Sequence, residues 1–260
     1  MRIKPGTRQR RQNNDRVEIV DERGIRTLHL GNDAIQSAMR IARPWELELA
    51  YTRAMMGCLL FNPQPQDVLM IGLGGGSLAR FMRKYLPDSR ITAVEIDADV
   101  IHAARAHFAL PPDDATLAVI EADGALYVRQ HACSADVILL DGFDGGNQVE
   151  ALASATFYAA CRRALKPNGV LVVNLWGRDP QFQTYFSRLL QAFDGQLGWL
   201  SVTGRTNVVA FAFTDPDAAA ALAAQRSTFT GLSAHFGLDL GAYARDMQWP
   251  DATLLHELTA

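Results

Sequence analysis

The sequence predicts an α/β protein built on a doubly wound, mostly parallel sheet, and three observations carry that prediction. Apolar, strand-length runs alternate with helix-length amphipathic stretches from Asp67 to Leu175, the mark of a parallel sheet wrapped by crossover helices. The first run, Val68-Leu69-Met70-Ile71, ends in Gly72-Leu73-Gly74-Gly75-Gly76-Ser77, as a central strand does where it turns into a helix beneath a nucleotide-like ligand. Acidic residues collect at the carboxyl ends of the strands that follow, the edge at which such sheets bind ligands.

The elements follow in order. Residues 1–16 carry Arg2, Lys4, Arg8, Arg10, Arg11 and Arg16 against Asp15 and are expected to be a basic, flexible tail. The tail is short and has no interleaved aromatics, so nucleic acid is not an expected partner. Residues 17–30 alternate apolar and polar around a turn at Asp21–Gly24, a β-hairpin, and Ala34–Ile41 reads as a further short strand. This β-element is expected over 17–45. Trp45–Leu60 has apolar residues at helical spacing, and Asn62-Pro63-Gln64-Pro65 closes it.

The main domain is expected over 46–215. Its strands are Asp67–Ile71, Ile91–Glu95, Thr116–Ile120, Asp136–Leu140 and Val170–Leu175. Its helices are Ser77–Leu86, Ala98–Phe108, Gly124–His131, Ser154–Leu165 and Pro180–Phe193. Gln196–Val202 and Asn207–Phe213 then form an antiparallel hairpin across Thr203-Gly204-Arg205-Thr206. Residues 216–260 read as a helical extension, with Asp215-Pro216-Asp217 as its start signal.

Composition excludes some classes. No uninterrupted apolar run reaches the length of a membrane span, and the basic N-terminus lacks an apolar signal core. Cys58, Cys133 and Cys161 are odd in number and form no CxxC pair, so reduced thiols in a cytoplasmic protein are expected. No histidine spacing matches a metal motif, and no metal is expected.

The acids at the strand ends define the candidate site. Glu95 stands where a carboxylate accepts from both hydroxyls of a ribose, 23 positions after Gly72. Ser77 occupies the place of the third glycine of the dinucleotide pattern, so a nicotinamide cofactor stays open. Asp97 reads as the cap of the helix at 98–108. Asp123, followed by Gly124, is placed to accept from the exocyclic amine of adenine. Asp141 and Asp144 share one short loop, Leu140-Asp141-Gly142-Phe143-Asp144-Gly145. A site that deprotonates an ammonium nucleophile needs one carboxylate as base, and a second can hold the cation in line.

These segments bring a family into view. Leu30-Gly31-Asn32-Asp33-Ala34-Ile35-Gln36, the Gly-rich loop, Val94-Glu95-Ile96-Asp97, Ala122-Asp123-Gly124 and Asp136 through Asp144 resemble the spermidine synthases, the polyamine aminopropyltransferases, over about residues 17–213. The resemblance implies a Rossmann-like, seven-stranded sheet of the S-adenosylmethionine-dependent transferase type behind an N-terminal β-domain. It implies transfer of the aminopropyl group of decarboxylated S-adenosylmethionine to a small amine, leaving methylthioadenosine. Gly72, Gly74, Gly75, Gly76, Gln36, Glu95, Asp123 and Gly124 would bind the adenosyl donor. Asp141 would be the base, Asp144 would help hold the amine, and Tyr51 would line the amine pocket. The sulfonium leaving group is already activated, so alignment and deprotonation suffice. A homodimer is expected, because the N-terminal hairpin has edges that need covering.

Departures leave rivals. Gly75 stands where the family's loop carries an Asp that pairs with the aminopropyl ammonium. Without that acid, ordinary S-adenosylmethionine is a possible donor, and a methyltransferase or a non-catalytic nucleoside-binding homologue stays open. The family's Tyr-Gln-Glu reads Tyr51-Thr52-Arg53, and Arg53 is a poor neighbour for a dication if it points inward. An upstream Tyr-Gln pair is replaced by Asn14-Asp15.

Overall fold

The structure is a computed structural model that describes residues 9–12, 17–144, 147–202, 206–224 and 228–251; the side chains of residues 9–12, 144 and 147 lie outside that description. The chain begins with an antiparallel sheet of β1 (Gln9–Gln12), β2 (Val17–Glu22), β3 (Ile25–Leu30) and β4 (Ser37–Arg40), in that spatial order. The hairpin between β2 and β3 closes through Arg23 and Gly24, both at positive φ, the geometry that matches the twist of the strands it joins.

Two expectations change here. Residues 9–12, read as part of a loose tail, pair with β2 from Gln9↔Asp21 to Gln12↔Glu18. Gln-Arg-Arg-Gln gives no apolar signal, and backbone pairing to an open strand edge needs none. The rest of the basic stretch, Asn14-Asp15 included, lies outside the described residues. The strand expected from Ala34 starts only at Ser37, because Asn32 Oδ1 accepts from the Ala34 N–H at 2.9 Å and holds a turn there.

The helix expected over Trp45–Leu60 is shorter. It runs as α1 (Ala50–Met55) and tightens into a 3₁₀ turn at Met56–Leu60. The Arg53 guanidinium donates to the Leu47 and Glu48 carbonyls at 2.6 and 2.9 Å, which fixes the preceding residues as turn. At Gly57 a Cβ would come within 2.9 Å of the Phe211 ring, so the 3₁₀ turn lies hard against the sheet.

The central unit then alternates as expected. It comprises β5 (Asp67–Ile71), α2 (Ser77–Tyr85), β6 (Arg90–Glu95), α3 (Ala98–His107), β7 (Leu117–Glu121), α4 (Gly124–Gln130) and β8 (Ala135–Leu140). A two-residue pair follows, β9 (Phe143–Asp144) and β10 (Asn147–Gln148), then α5 (Ala155–Ala164), β11 (Leu165–Trp176), α6 (Phe182–Ala192), β12 (Leu197–Ser201) and β13 (Asn207–Phe213). The large sheet has seven strands in the order β12-β13-β11-β8-β5-β6-β7. β13 is antiparallel to both its neighbours and the other pairings are parallel. β11 begins earlier than the expected Val170, with a break in register between Leu165 and Val170 that takes up the Pro-Asn-Gly turn.

Alternate residues of the central strands enter two apolar clusters, one on each face. Met70, Leu139, Val172 and Phe211 pack on the side of α1 and α2, and Leu69, Ile71, Ile138 and Val173 on the side of α5 and α6. Burial on both faces is why β5 and β8 read as continuous apolar runs. Among the described residues, three short helices follow β13, α7 (Ala218–Ala224), α8 (Phe229–Phe236) and α9 (Leu240–Asp246). Trp249 beyond them stacks on Phe213, and Gln248 bridges to Trp199 of β12, so this segment covers the edge of the sheet. No helix among the described residues is long and apolar enough to cross a membrane.

Two glycines should respond in opposite directions to alanine. Gly72 sits at φ +90°, and an added Cβ would fall 2.3 Å from the Asp141 carbonyl oxygen, so Gly72→Ala should destabilise by roughly 4 kcal/mol or more. Gly231 lies within α8 with open space around it, and Gly231→Ala should stabilise by about 0.5–1 kcal/mol. Urea denaturation of the two variants beside the parent protein measures both.

Candidate active site

The carboxyl ends of β5, β6, β8 and β11 open onto a cavity of about 710 Å³. Among the described residues, five carboxylates line it, Asp33, Glu95, Asp97, Asp123 and Asp141, and no Lys, Arg or His does. Its field therefore favours a cationic ligand.

One wall is the Gly-rich loop. Gly72 lets the end of β5 meet the end of β8, where the Asp141 N–H donates to the Ile71 carbonyl at 3.0 Å. Glu95 braces the loop: Oε2 accepts from the Leu73 N–H at 2.9 Å and Oε1 from the Asp97 N–H at 3.0 Å. Asp97 caps α3 through the Asp99 N–H. Asp123 caps α4, its Oδ1 accepting from Ala125 and Leu126 at 2.7 and 3.1 Å. Both helix caps also face the cavity, so capping and ligand binding draw on the same side chains.

Asp141 is held at both oxygens. Tyr51 Oη donates to Oδ2 at 3.1 Å, and Asn174 Nδ2 donates to Oδ1 at 2.9 Å. Asn174, buried in β11, is oriented in turn by Asn207 Nδ2, which donates to its Oδ1 at 3.0 Å. Burial pushes the Asp141 carboxyl above its ordinary range; the Asn174 and Tyr51 hydrogen bonds pull it down, and the Glu95 charge adds to the rise. Burial and the Asp141 charge hold the Tyr51 hydroxyl well above its ordinary pKa, so Tyr51 stays a donor. Tyr51 Oη also lies 3.3 Å from the Gln36 carbonyl, which ties the N-terminal sheet to the site.

Most of the sequence-predicted residues converge on the cavity. Gln36, Tyr51, Gly72, Gly74, Glu95, Asp123, Gly124 and Asp141 all line it. Gly75 and Gly76 do not. The space in front of Gly75 is filled: a Cβ there would lie 2.7 Å from Ser37 Oγ and 2.9 Å from the Phe108 ring. Behind it, the Arg80 guanidinium donates to the Gly75 carbonyl and, at 2.7 Å, to that of Pro44. Gly76, at φ +72°, starts α2 and faces Leu110. Asp144 is in β9, and its side chain lies outside the described residues. Arg53 turns back onto backbone carbonyls and is not among the lining residues.

The far wall was not read from the sequence. Asn174, Trp176, Thr206 and Asn207 line it from β11 and the start of β13. Its one legible signal is Asn174, a polar residue inside the buried run Val170-Leu171-Val172-Val173-Asn174-Leu175, where only a partnered side chain is tolerated.

Comparison with known proteins decides the family. The family model described as the spermine/spermidine synthase domain matches residues 48–194. The chain belongs to the spermine/spermidine synthase family. A Chromobacterium violaceum relative named polyamine aminopropyltransferase is 44% identical over 232 residues, which is 89% of each chain. Among solved structures, a probable spermidine synthase from Corynebacterium glutamicum superposes with a TM-score of 0.71 at 17% identity, covering 98% of this chain and 94% of the other. A spermidine synthase in complex with the transition-state analogue AdoDATO gives 0.68 at 21% identity, over 94% and 81%. At those identities the two structures speak for the fold.

Within the spermidine synthase fold, the glycine at 75 is a packing requirement here. Gly75→Ala should destabilise by about 1–3 kcal/mol through overpacking, and Gly75→Asp by at least as much. Adding Ser37→Ala should return part of the loss in either background, because it removes the Oγ in closest approach. Thermal melts of the single and double variants test the coupling.

Proposed function

We propose that this protein transfers the aminopropyl group of decarboxylated S-adenosylmethionine to a small amine, with Asp141 as general base and methylthioadenosine as the second product. The observation that carries the reading is the Asp141 carboxyl, its pKa raised by burial and its two oxygens both held, lining a cavity whose charged residues, among those described, are all acidic. In the step, the acceptor ammonium gives a proton to Asp141. The freed nitrogen lone pair attacks the carbon beside the sulfonium, the new C–N bond forms as the C–S bond breaks, and neutral methylthioadenosine leaves. The protein supplies the in-line geometry and the base.

The adenosyl half falls to the strand ends. Glu95 takes the ribose hydroxyls on the lone pairs its two backbone bonds leave over. Asp123 takes the adenine amine through Oδ2, the oxygen not engaged in the cap. Gly72, Gly74 and Gly124 allow close approach, and Gln36 closes the cavity from the N-terminal sheet. Asp144 is assigned to the acceptor from its place on the loop after Asp141.

The donor follows from the charge of the cavity. Ser37 and Phe108 leave no room at Gly75 for a discriminating acid, and the Asp141 carboxylate, at the end of β8 beside the loop, takes over the repulsion of a carboxylated donor. Cytoplasmic residence accords with three unbridged cysteines, two of them buried. A homodimer would cover the outer edges of β1 and β4, the end strands of their sheet.

Incubation with decarboxylated S-adenosylmethionine and a panel of amines, following methylthioadenosine by mass spectrometry, tests the reading. Absence of product with every amine, or methyl transfer from ordinary S-adenosylmethionine, would overturn it. Asp141→Asn should lower turnover by about 10²–10⁴-fold with methylthioadenosine binding retained. Because Asp141 acts as the anion and its pKa is raised, kcat/KM should fall with decreasing pH through a value above the ordinary carboxylate range. Asn174→Ala removes a bond that stabilises the anion, so it should move that acid limb to higher pH.

A further inference from the structure

We propose that Asn207 is a positioning residue for the general base: by donating to Asn174 Oδ1, it fixes which end of the Asn174 amide meets the Asp141 carboxylate. The inference rests on the transferase reading above and deepens it. The amide of Asn174 has a donor end and an acceptor end, and a half-turn exchanges them. Each end has a partner here. Nδ2 donates to Asp141 Oδ1 at 2.9 Å, and Oδ1 accepts from Asn207 Nδ2 at 3.0 Å. Asn174 is buried within β11, where an amide group that loses its partner is costly to leave unpaired.

The antiparallel ladder builds this relay. Asn174 lies opposite Val209 of β13. Asn207, two positions from Val209, shares its face and stands at the diagonal, within reach of Asn174. The strand does not need the Asn207 side chain for its own pairing, because the Asn207 backbone carbonyl accepts from the Val202 N–H at 3.0 Å.

The relay distinguishes the two protonation states of Asp141. The carboxylate is an acceptor only, and it takes the Asn174 N–H as it stands. A proton on Asp141 Oδ1 would need an acceptor, which Asn174 could offer only by turning its amide. That turn would break the bond from Asn207 and set two NH2 groups against each other. Tyr51 imposes no such choice, since its hydroxyl has the Gln36 carbonyl as a second acceptor. Among the described residues, the titratable groups acting on Asp141 are Tyr51 from α1 and Glu95 from the end of β6. Asp33, Asp97 and Asp123 line the same cavity. β5 presents the Gly72 backbone, and β11 and β13 present the two amides. Asn207 thus favours the anionic base, and it does so through Asn174.

The test reads the Asp141 pKa itself, by NMR titration of the full chain carrying carboxyl-labelled aspartate, with the Asp141 signal identified from Asp141→Asn. Asn207→Ala should raise that pKa by about half a pH unit, the worth of one neutral hydrogen bond. Asn207→Asp keeps the shape of the partner and reverses its polarity, and it should raise the pKa by about one pH unit or more. In an Asn174→Ala background the first shift should vanish and the second should shrink, because the relay is cut. A cooperative thermal melt verifies that each variant is folded, and the isosteric Asn207→Asp carries the test if the truncation unfolds. A side chain with a merely structural role would leave the Asp141 titration unmoved. Unshifted pKa values, or shifts as large without Asn174 as with it, would overturn the proposal. Turnover with decarboxylated S-adenosylmethionine and the amine panel, run in parallel, reads the transferase assignment separately. Coupled pKa shifts without turnover in wild type remove that assignment and keep the relay, and turnover with an unmoved Asp141 titration does the reverse.

Discussion

The site depends on one close approach, the meeting of β5 and β8 at Gly72. With no side chain at that position, the Asp141 backbone comes to a distance that any Cβ would forbid, and the sheet stays paired to its last residue. Three consequences follow from this contact. The loop after Gly72 is brought over the end of β6, where Glu95 fixes it at the Leu73 N–H. The Asp141 side chain is delivered between α1 and β11, into reach of Tyr51 and Asn174. The Gly-rich loop, Glu95 and Asp141 come to line one cavity. A bulkier residue at 72 would separate them at once.

The loop is locked on its other side by a group that looks out of place. Arg80 is buried with its guanidinium on backbone carbonyls and Ser77, and burial lowers its pKa to about 10. It remains charged at neutral pH. A cation set behind a cavity lined with five carboxylates reduces the mutual repulsion that those acids impose on the folded state. The Gly75 carbonyl faces this cation, so the Gly-rich turn is braced by charge from behind and by Glu95 from the front.

How much of this was legible depended on what kind of force places each element. Strands β5 and β8 and their crossover helices announced themselves, because burial on both faces forces unbroken apolar runs. Glu95, Asp123 and Asp141 were legible as acids gathered at one edge of the sheet, and the structure shows that Asp123 also serves as the cap of α4. β1 was not, since a Gln-Arg-Arg-Gln strand is held by backbone pairing that side chains do not report. The short α1 escaped for a related reason: apolar spacing continues through Met56–Leu60, while the local geometry is set by Arg53 on carbonyls and by Gly57 against Phe211. Asn174, Trp176 and Asn207 contribute through contacts between β11 and β13, and no spacing along the chain encodes a contact across a sheet.

The same distinction bears on donor choice. A single acid in the loop is a local device, visible as a letter in the sequence, and this chain lacks it at Gly75. A cavity to which the described residues bring carboxylates and no basic side chain is a distributed device, visible only once the strands are assembled. One carboxylate about 8 Å from another, at an effective dielectric near 20, costs roughly 2 kcal/mol, more than the ~1.4 kcal/mol that a tenfold preference requires. Each further lining acid makes the field more favourable to a cation. Loss of the loop acid therefore removes one contributor and leaves the sign of the field unchanged. Packing of Ser37 and Phe108 against Gly75 lets β4 and the end of α3 close on the loop, which stabilises the fold at this position.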